Sequence, residues 1–126
     1  MSLEKRRFIR IVEGSPLTFV AAKGLSGEGE LLDISLRGMR FVSESMLTTG
    51  EKIRTVFILT NGISLDLTGV VRHVQGKGRK HLYGVEFSIH DQRDLKEHIK
   101  LNDYIVRARA EQDRILQKEL LKKKLV

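Results

Sequence analysis

Between Leu17 and Ile89 apolar and polar side chains alternate in segment after segment, and a period of two separates the two faces of a β-strand. The segments are Leu17 to Lys23, Glu28 to Ile34, Met39 to Ser43, Lys52 to Thr60, Ile63 to Val74 and His81 to Ile89. They are rich in β-branched and aromatic residues and are punctuated by Gly, Asn and Ser, which favour turns. Asn61-Gly62 between two apolar runs predicts a two-residue type I′ hairpin, because both residues tolerate positive φ. Gly69 interrupts the alternation of Ile63, Leu65 and Leu67, so a bulge or bend is expected there. Six strands in about 70 residues, with short connections and no intervening helix, predict an all-β core: a six-stranded antiparallel β-barrel in preference to a sandwich. Phe19, Phe41 and Phe87 fall in the apolar alternation and are candidates for its core.

After Gly84 neither Gly nor Pro recurs, and the period lengthens. Asp91 is a candidate N-cap, with Asp94 three residues later in an imperfect capping box. Leu95, Ile99, Ile105 and Val106 then form a helical stripe expected to lie on the barrel. Beyond Arg107, Ala108, Ile115, Leu116, Leu120 and Leu121 recur at helical spacing, while Gln112 and Glu119 break a strict heptad. The pattern leaves open whether this C-terminal α-helix packs on its own barrel, joins a second copy in a homo-oligomer or waits for another protein. The chain thus divides into an arm (1–16), a barrel with its packing helix (17–106) and a helical basic tail (107–126).

Charge sharpens that division. The net charge is +7 over 126 residues. Lys5, Arg6, Arg7 and Arg10 against Glu4 give +3 at one end, and Arg114, Lys118, Lys122, Lys123 and Lys124 against Glu119 give +4 at the other. The body between them sums to zero, with both signs interspersed. A polyanion-tracking protein concentrates its cations along one folded face, so nucleic acid is a disfavoured partner. There is no cysteine, which excludes disulfides and thiolate metal sites. No apolar run approaches the roughly 18 residues of a membrane span, and the start of the chain is charged, so a soluble cytoplasmic protein with no membrane insertion is expected. His73, His81, His90 and His98 lack metal-ligand spacing, and neither a G-x-S-x-G elbow nor a P-loop is present. Neither an enzyme nor a metal or cofactor site is expected.

Two short motifs remain. Arg6 and Arg10 form R-x-x-x-R in "KRRFIRI", and Asp33, Ser35 and Gly38 form D-x-S-x-x-G in "DISLRG". In that order, on this strand pattern, and with the glycine-led "GMRF" strand and the closing "YGVEF" strand before a helix, the chain resembles the PilZ domain family over roughly residues 4 to 106. The resemblance implies a receptor for the bacterial second messenger cyclic di-GMP. It places Arg6 and Arg10 on guanine and phosphate, Asp33 and Ser35 on guanine, and Arg7 on phosphate as an auxiliary contact, with Gly38 shaping the turn.

The chemistry of these residue types agrees. An arginine fork binds phosphate bidentately and also matches guanine O6 and N7. Residues four apart on an extended arm share a side and lie about 13 Å apart, so one can reach a base while the other reaches a phosphate. An ionised carboxylate only accepts hydrogen bonds, and the guanine Watson–Crick edge offers N–H donors. Gly38 either permits a positive φ or lets a ligand approach the backbone closely. Arg37, between Ser35 and Gly38, has no assigned role. The expected mechanism is an arginine arm that closes over the ligand and signals to an unidentified downstream protein, with motility, biofilm or exopolysaccharide control implied by the resemblance alone. Two alternatives stay open: a ligand-independent adaptor of PilZ type, and a small barrel that binds RNA or single-stranded DNA, although surface aromatics for base stacking are sparse.

Overall fold

Among the described residues seven strands and one helix follow in chain order: β1 (Ile11–Val12), β2 (Pro16–Ala21), β3 (Ser26–Ile34), β4 (Gly38–Ser43), β5 (Lys52–Ile58), β6 (Ser64–Lys77), β7 (Lys80–Phe87) and α1 (Gln92–Lys124). The computed structural model describes residues 10–124. The sheet order is β1-β3-β2-β5-β6-β7-β4, and β4 also pairs with β3, so β2 to β7 close into a six-stranded antiparallel barrel. Closure leaves the six strands without a free edge, which removes the exposed ladder that an open sheet presents to other chains.

The additional strand, β1, was not marked by the alternation. It continues the line of β2 along β3, with Ile11 opposite Ile34 and Val12 opposite Asp33. Between the two pieces the Glu13 amide donates to the Leu32 carbonyl (2.7 Å) and the Leu31 amide to the Ser15 carbonyl (2.8 Å). Among the described residues strand pairing therefore includes Ile11 and Val12, inside the span read from sequence as an arm. Two residues are too few for a period to show, and only the pairing partner defines the strand.

Alternation delivers the core. Leu17, Phe19 and Ala21 of β2, Ile53, Thr55 and Phe57 of β5, and Leu65 and Leu67 of β6 face inward, with their neighbours outward. Phe19, Phe41 and Tyr83 stack in sequence at centroid separations of 5.8 and 5.2 Å. The buried Tyr83 hydroxyl donates to the Ser45 carbonyl (2.5 Å) and accepts from the Leu47 amide (2.9 Å), so its polar tip is satisfied. Phe87 is only partly buried and packs against the core from outside.

Two local expectations in the strands are corrected. The β5–β6 hairpin is not a two-residue turn. Leu59 and Ile63 still pair (amide to carbonyl 2.8 Å), the Gly62 amide donates to the Leu59 carbonyl (2.8 Å), and only Gly62 has a positive φ, +89°. This is the three-residue loop that ends on a left-handed glycine, with the Asn61 carboxamide accepting from the Ile63 amide (3.1 Å). The irregularity in β6 lies not at Gly69 but between Val71 and His73, where Arg72 is the extra residue opposite β7. Gly69 is small for another reason: a Cβ there would lie 2.6 Å from Val85 Cγ1 and 2.7 Å from the Glu86 carbonyl oxygen.

The helix is correctly started and wrongly phased. Asp91 Oδ1 accepts from the Asp94 amide (2.8 Å), and Asp94 Oδ2 accepts from the His90 amide (3.0 Å), which satisfies donors at the N-terminus. The face on the barrel carries Asp94, Leu101, Tyr104, Ile105 and Ala108. Of the stripe read from sequence only Ile105 is buried; Leu95, Ile99 and Val106 face solvent. Two apolar stripes wind along this helix, and the barrel takes the one with the tyrosine.

Candidate functional site: an arginine-lined groove at the β3–β4 turn

The site grows from a bulge. Leu31 pairs with Phe41 but Asp33 pairs with Arg40, so Leu32 is an extra residue in β3. The shift re-phases the strand: Leu31 and Ile34, three apart, are both fully buried, and Asp33 beside them is only 5% exposed. A buried carboxylate needs charged or hydrogen-bonding partners. Asp33 has two. Arg10, at the entrance to β1, donates from Nη1 to Oδ1 (2.7 Å), and Arg40 of β4 donates from Nε to Oδ2 (2.8 Å) and again from Nη2. The hydrogen bond that Arg40 donates to Asp33, and the charge of that carboxylate, raise the Arg40 pKa above the ordinary arginine value, against partial burial. Both guanidiniums remain about half exposed, 47% and 50%.

Ser35 and Gly38 close the turn between β3 and β4. The Ser35 hydroxyl donates to the Gly38 carbonyl (3.2 Å) and accepts from the Arg37 and Gly38 amides (3.3 Å each). That occupies its donor and both acceptor sites inside the turn. Gly38 is not among the positive-φ residues; its constraint is the closing strand, since a Cβ there would sit 2.2 Å from the Val85 carbonyl oxygen. The turn is further pinned by the Phe87 amide on the Arg37 carbonyl (2.8 Å).

Beside this turn runs a groove of about 330 Å³, lined by Arg10, Arg37, Arg40, Arg72, His73 and Gln75 over a floor that includes Gly38 and Gly84. The second bulge, at Arg72, opens onto it. Arg72 reaches Glu86 at 3.4 Å. Arg10 and Arg40 thus meet Asp33, and Arg72 meets Glu86, so several guanidiniums gather around one concave surface.

Of the residues singled out in the sequence, the structure brings Arg10, Asp33, Ser35 and Gly38 to one turn. Arg6 and Arg7 lie outside the described residues. Sequence reading missed Arg40, Arg72, His73 and Gln75. A signal existed for Arg40: a tight turn over Ser35–Gly38 pairs Asp33 with the residue two beyond the glycine. None existed for the β6 residues, which reach the groove only because β6 and β7 neighbour β4 in the closed sheet.

Two further contacts lead from the site to α1. The His98 ring donates from Nε2 to the Leu36 carbonyl, inside the D-x-S-x-x-G turn, at 2.9 Å, and stacks edge-on against Phe87. Three residues along from Arg10, the buried Glu13 accepts from the Tyr104 hydroxyl and, at 3.0 Å, from Ser15. Burial, then the Glu13 contact, pushes the Tyr104 pKa up to about 12. Among the described residues no helix is long and apolar enough to cross a membrane.

Comparison with known proteins agrees with this architecture. The PilZ domain model matches residues 4–105. No curated protein matches the chain significantly in sequence. Among solved structures, MotI/DgrA, an inhibitor of motility from Bacillus subtilis, superposes with a TM-score of 0.64 at 18% identity, covering 85% of this chain and 52% of that one. The PilZ domain of YcgR from Escherichia coli, with c-di-GMP, gives 0.61 at 16% identity over 86% of this chain and 98% of that one. The MrkH–c-di-GMP complex of K. pneumonia gives 0.62 at 18% identity, over 84% and 55%. The chain spans about half the length of MotI/DgrA and MrkH. At such identities the structural likeness shows a shared fold.

Proposed function

The chain belongs to the PilZ domain family, whose members are cyclic di-GMP receptors rather than enzymes, and on that premise we propose that this protein binds cyclic di-GMP in the groove beside the β3–β4 turn. The observation that carries the reading is the pairing of the buried Asp33 with Arg10 and Arg40, two half-exposed guanidiniums on a concave surface that Arg72 also lines. Cyclic di-GMP carries two phosphodiester charges and two guanines. Asp33 uses part of its acceptor capacity on the arginines and presents the rest to guanine N–H donors. Arg10 and Arg40, half in solvent and oriented by Asp33, offer their remaining donors to phosphate or to guanine O6 and N7. Arg6 and Arg7 bring the arm over the ligand, and Ser35 and Gly38 hold the turn that sets the Asp33–Arg40 spacing.

The message leaves through α1. The arm bearing Arg10 is joined to the helix by Glu13 and Tyr104, and the motif turn is joined to it by His98. Closing the arm on a ligand therefore biases the position of a helix that is offered to a downstream protein or to a second copy. The protein acts in the cytoplasm, and its output is control of motility, biofilm or exopolysaccharide through that partner.

Calorimetric titration with cyclic di-GMP at physiological salt, with cyclic di-AMP and GTP as controls, tests the reading. Saturable heat for cyclic di-GMP alone is expected. Absence of heat, together with an unchanged melting temperature, would overturn it.

A further inference from the structure

The helix face turned away from the barrel has a regularity of its own. Leu95, Ile99, Val106, Leu116 and Leu120 are between 40% and 58% exposed. With three polar residues, Asn102, Arg109 and Asp113, they complete an unbroken four-three spacing over positions 95, 99, 102, 106, 109, 113, 116 and 120. That is the spacing of a coiled-coil seam. From Arg109 onward the helix is also without cover, since its residues there are exposed. More than four turns of helix projecting alone are marginal in water without tertiary packing.

The seam reads in the same pattern in both directions except at its centre, where Val106 answers Arg109. Reversed about the midpoint between Arg107 and Ala108, Leu95 falls opposite Leu120 of a second copy, Ile99 opposite Leu116, Asn102 opposite Asp113 and Val106 opposite Arg109. Apolar meets apolar at both ends. Asn102 can donate its amide to the Asp113 carboxylate, and the Arg109 stem can cover Val106 while its head stays near Asp113, which it faces at 3.9 Å along its own helix. A parallel, in-register pair would instead set Arg109 against Arg109 and Asp113 against Asp113, like charges within the seam.

We infer that the outer face of α1 is a homodimer surface, and that two copies pair antiparallel through Leu95, Ile99, Val106, Leu116 and Leu120. This deepens the partner side of the function proposed above and needs no ligand, so its test is run without cyclic di-GMP and its failure leaves the receptor reading untouched.

The test uses the full chain and exploits its lack of cysteine. Sedimentation of the wild type should show a monomer–dimer equilibrium, and Leu116→Glu should raise its dissociation constant about tenfold or more, because a charge then enters an apolar seam. Circular dichroism and melting of the variant confirm that the barrel is intact. Orientation is read by disulfide trapping. Under oxidation, Ile99→Cys mixed with Leu116→Cys should give a cross-linked dimer, whereas either protein alone should not. Self-cross-linking of Leu116→Cys alone would overturn the antiparallel arrangement. A wild type that stays monomeric at about 100 μM, a concentration that populates a dimer of micromolar affinity, would overturn the homodimer and leave this face to a different protein.

Discussion

Asp33 and Glu13 are both 5% exposed, and they lie almost opposite one another where β1 meets β3, yet their surroundings differ in kind. Asp33 is answered by two guanidiniums that stay half in solvent beside an open groove. Glu13 is answered by the hydroxyls of Ser15 and Tyr104 within the packing between arm, barrel and helix. A carboxylate matched by accessible cations can share its partners with a ligand. One enclosed by hydroxyl donors is held in place by groups that have little else to bond. The same side-chain chemistry serves recognition in one region and anchoring in the other.

Removing the frame around that contrast has the largest expected effect. Gly38→Ala forces a Cβ into the Val85 carbonyl, a backbone atom that cannot step aside, and should cost about 3 kcal/mol of stability, the upper range for overpacking. A melting curve like that of the wild type would show that β4 and β7 are not so closely apposed. Next come the recognition residues. Arg10→Ala, Arg40→Ala and Asp33→Ala should each weaken cyclic di-GMP binding by about 1–3 kcal/mol, roughly five- to 150-fold in Kd. The melting temperature of Arg10→Ala should move little, because the Arg10 head is half exposed and Arg40 still partners Asp33. Calorimetry on the three folded variants decides it: unchanged affinity in all of them removes Asp33 from the site.

Glu13→Ala should show the opposite profile. It leaves the buried Tyr104 hydroxyl without this acceptor and should lower unfolding free energy by about 1–2 kcal/mol, while guanine selectivity persists. Denaturant titration beside calorimetry separates the two quantities, and a loss of ligand affinity without loss of stability would erase the distinction drawn between the two carboxylates. Alkaline pH probes the same contact from the side of Tyr104. The Tyr104 pKa is raised from 10.0 to about 12 in the fold. Its contribution is therefore complete below about pH 10 and lost as pH rises through the folded value. Wild type should lose stability between about pH 10 and 12 more steeply than Tyr104→Phe, and parallel pH profiles of the two proteins would sink the assignment.

Much of this molecule was legible beforehand for a definite reason. A barrel strand has one wet face and one dry face, so its side-chain period survives in the sequence; Leu17, Phe19 and Ala21 or Ile53, Thr55 and Phe57 announce their burial before any pairing is known. The N-cap at Asp91 is legible because capping is local, within four residues. The hairpin at Asn61-Gly62 was half legible: the glycine was correctly placed, but loop length depends on how Leu59 and Ile63 pair, which dipeptide chemistry does not state.

In the site, Asp33, Ser35 and Gly38 could be found as a motif, and Arg10 as part of another. Their companions could not. Arg72, His73 and Gln75 are far from the motifs along the chain and reach the groove through the order β6-β7-β4 and the bulge at Arg72. The helix shows the same limit. Leu95, Ile99 and Val106 read as the packing stripe because they are aliphatic, whereas the barrel buries Leu101, Tyr104 and Ile105. A helix with two apolar stripes has two faces it could bury, and its own sequence does not rank them.

The sequence by itself therefore determined the number and order of the barrel strands, the start of the helix, the concentration of positive charge at both ends and the two motifs that mark the family. All of these are set by interactions between residues close in the chain or by the wet–dry period of one strand. Tertiary structure alone decided which carboxylate meets which arginine, which stripe of α1 is buried and which remains outside, and how Glu13, Tyr104 and His98 tie the arm and the turn to the helix. Those outcomes depend on register, on bulges at Leu32 and Arg72 and on ring closure of the sheet. They are fixed by contacts between segments up to 91 residues apart, where no local period or propensity carries the information.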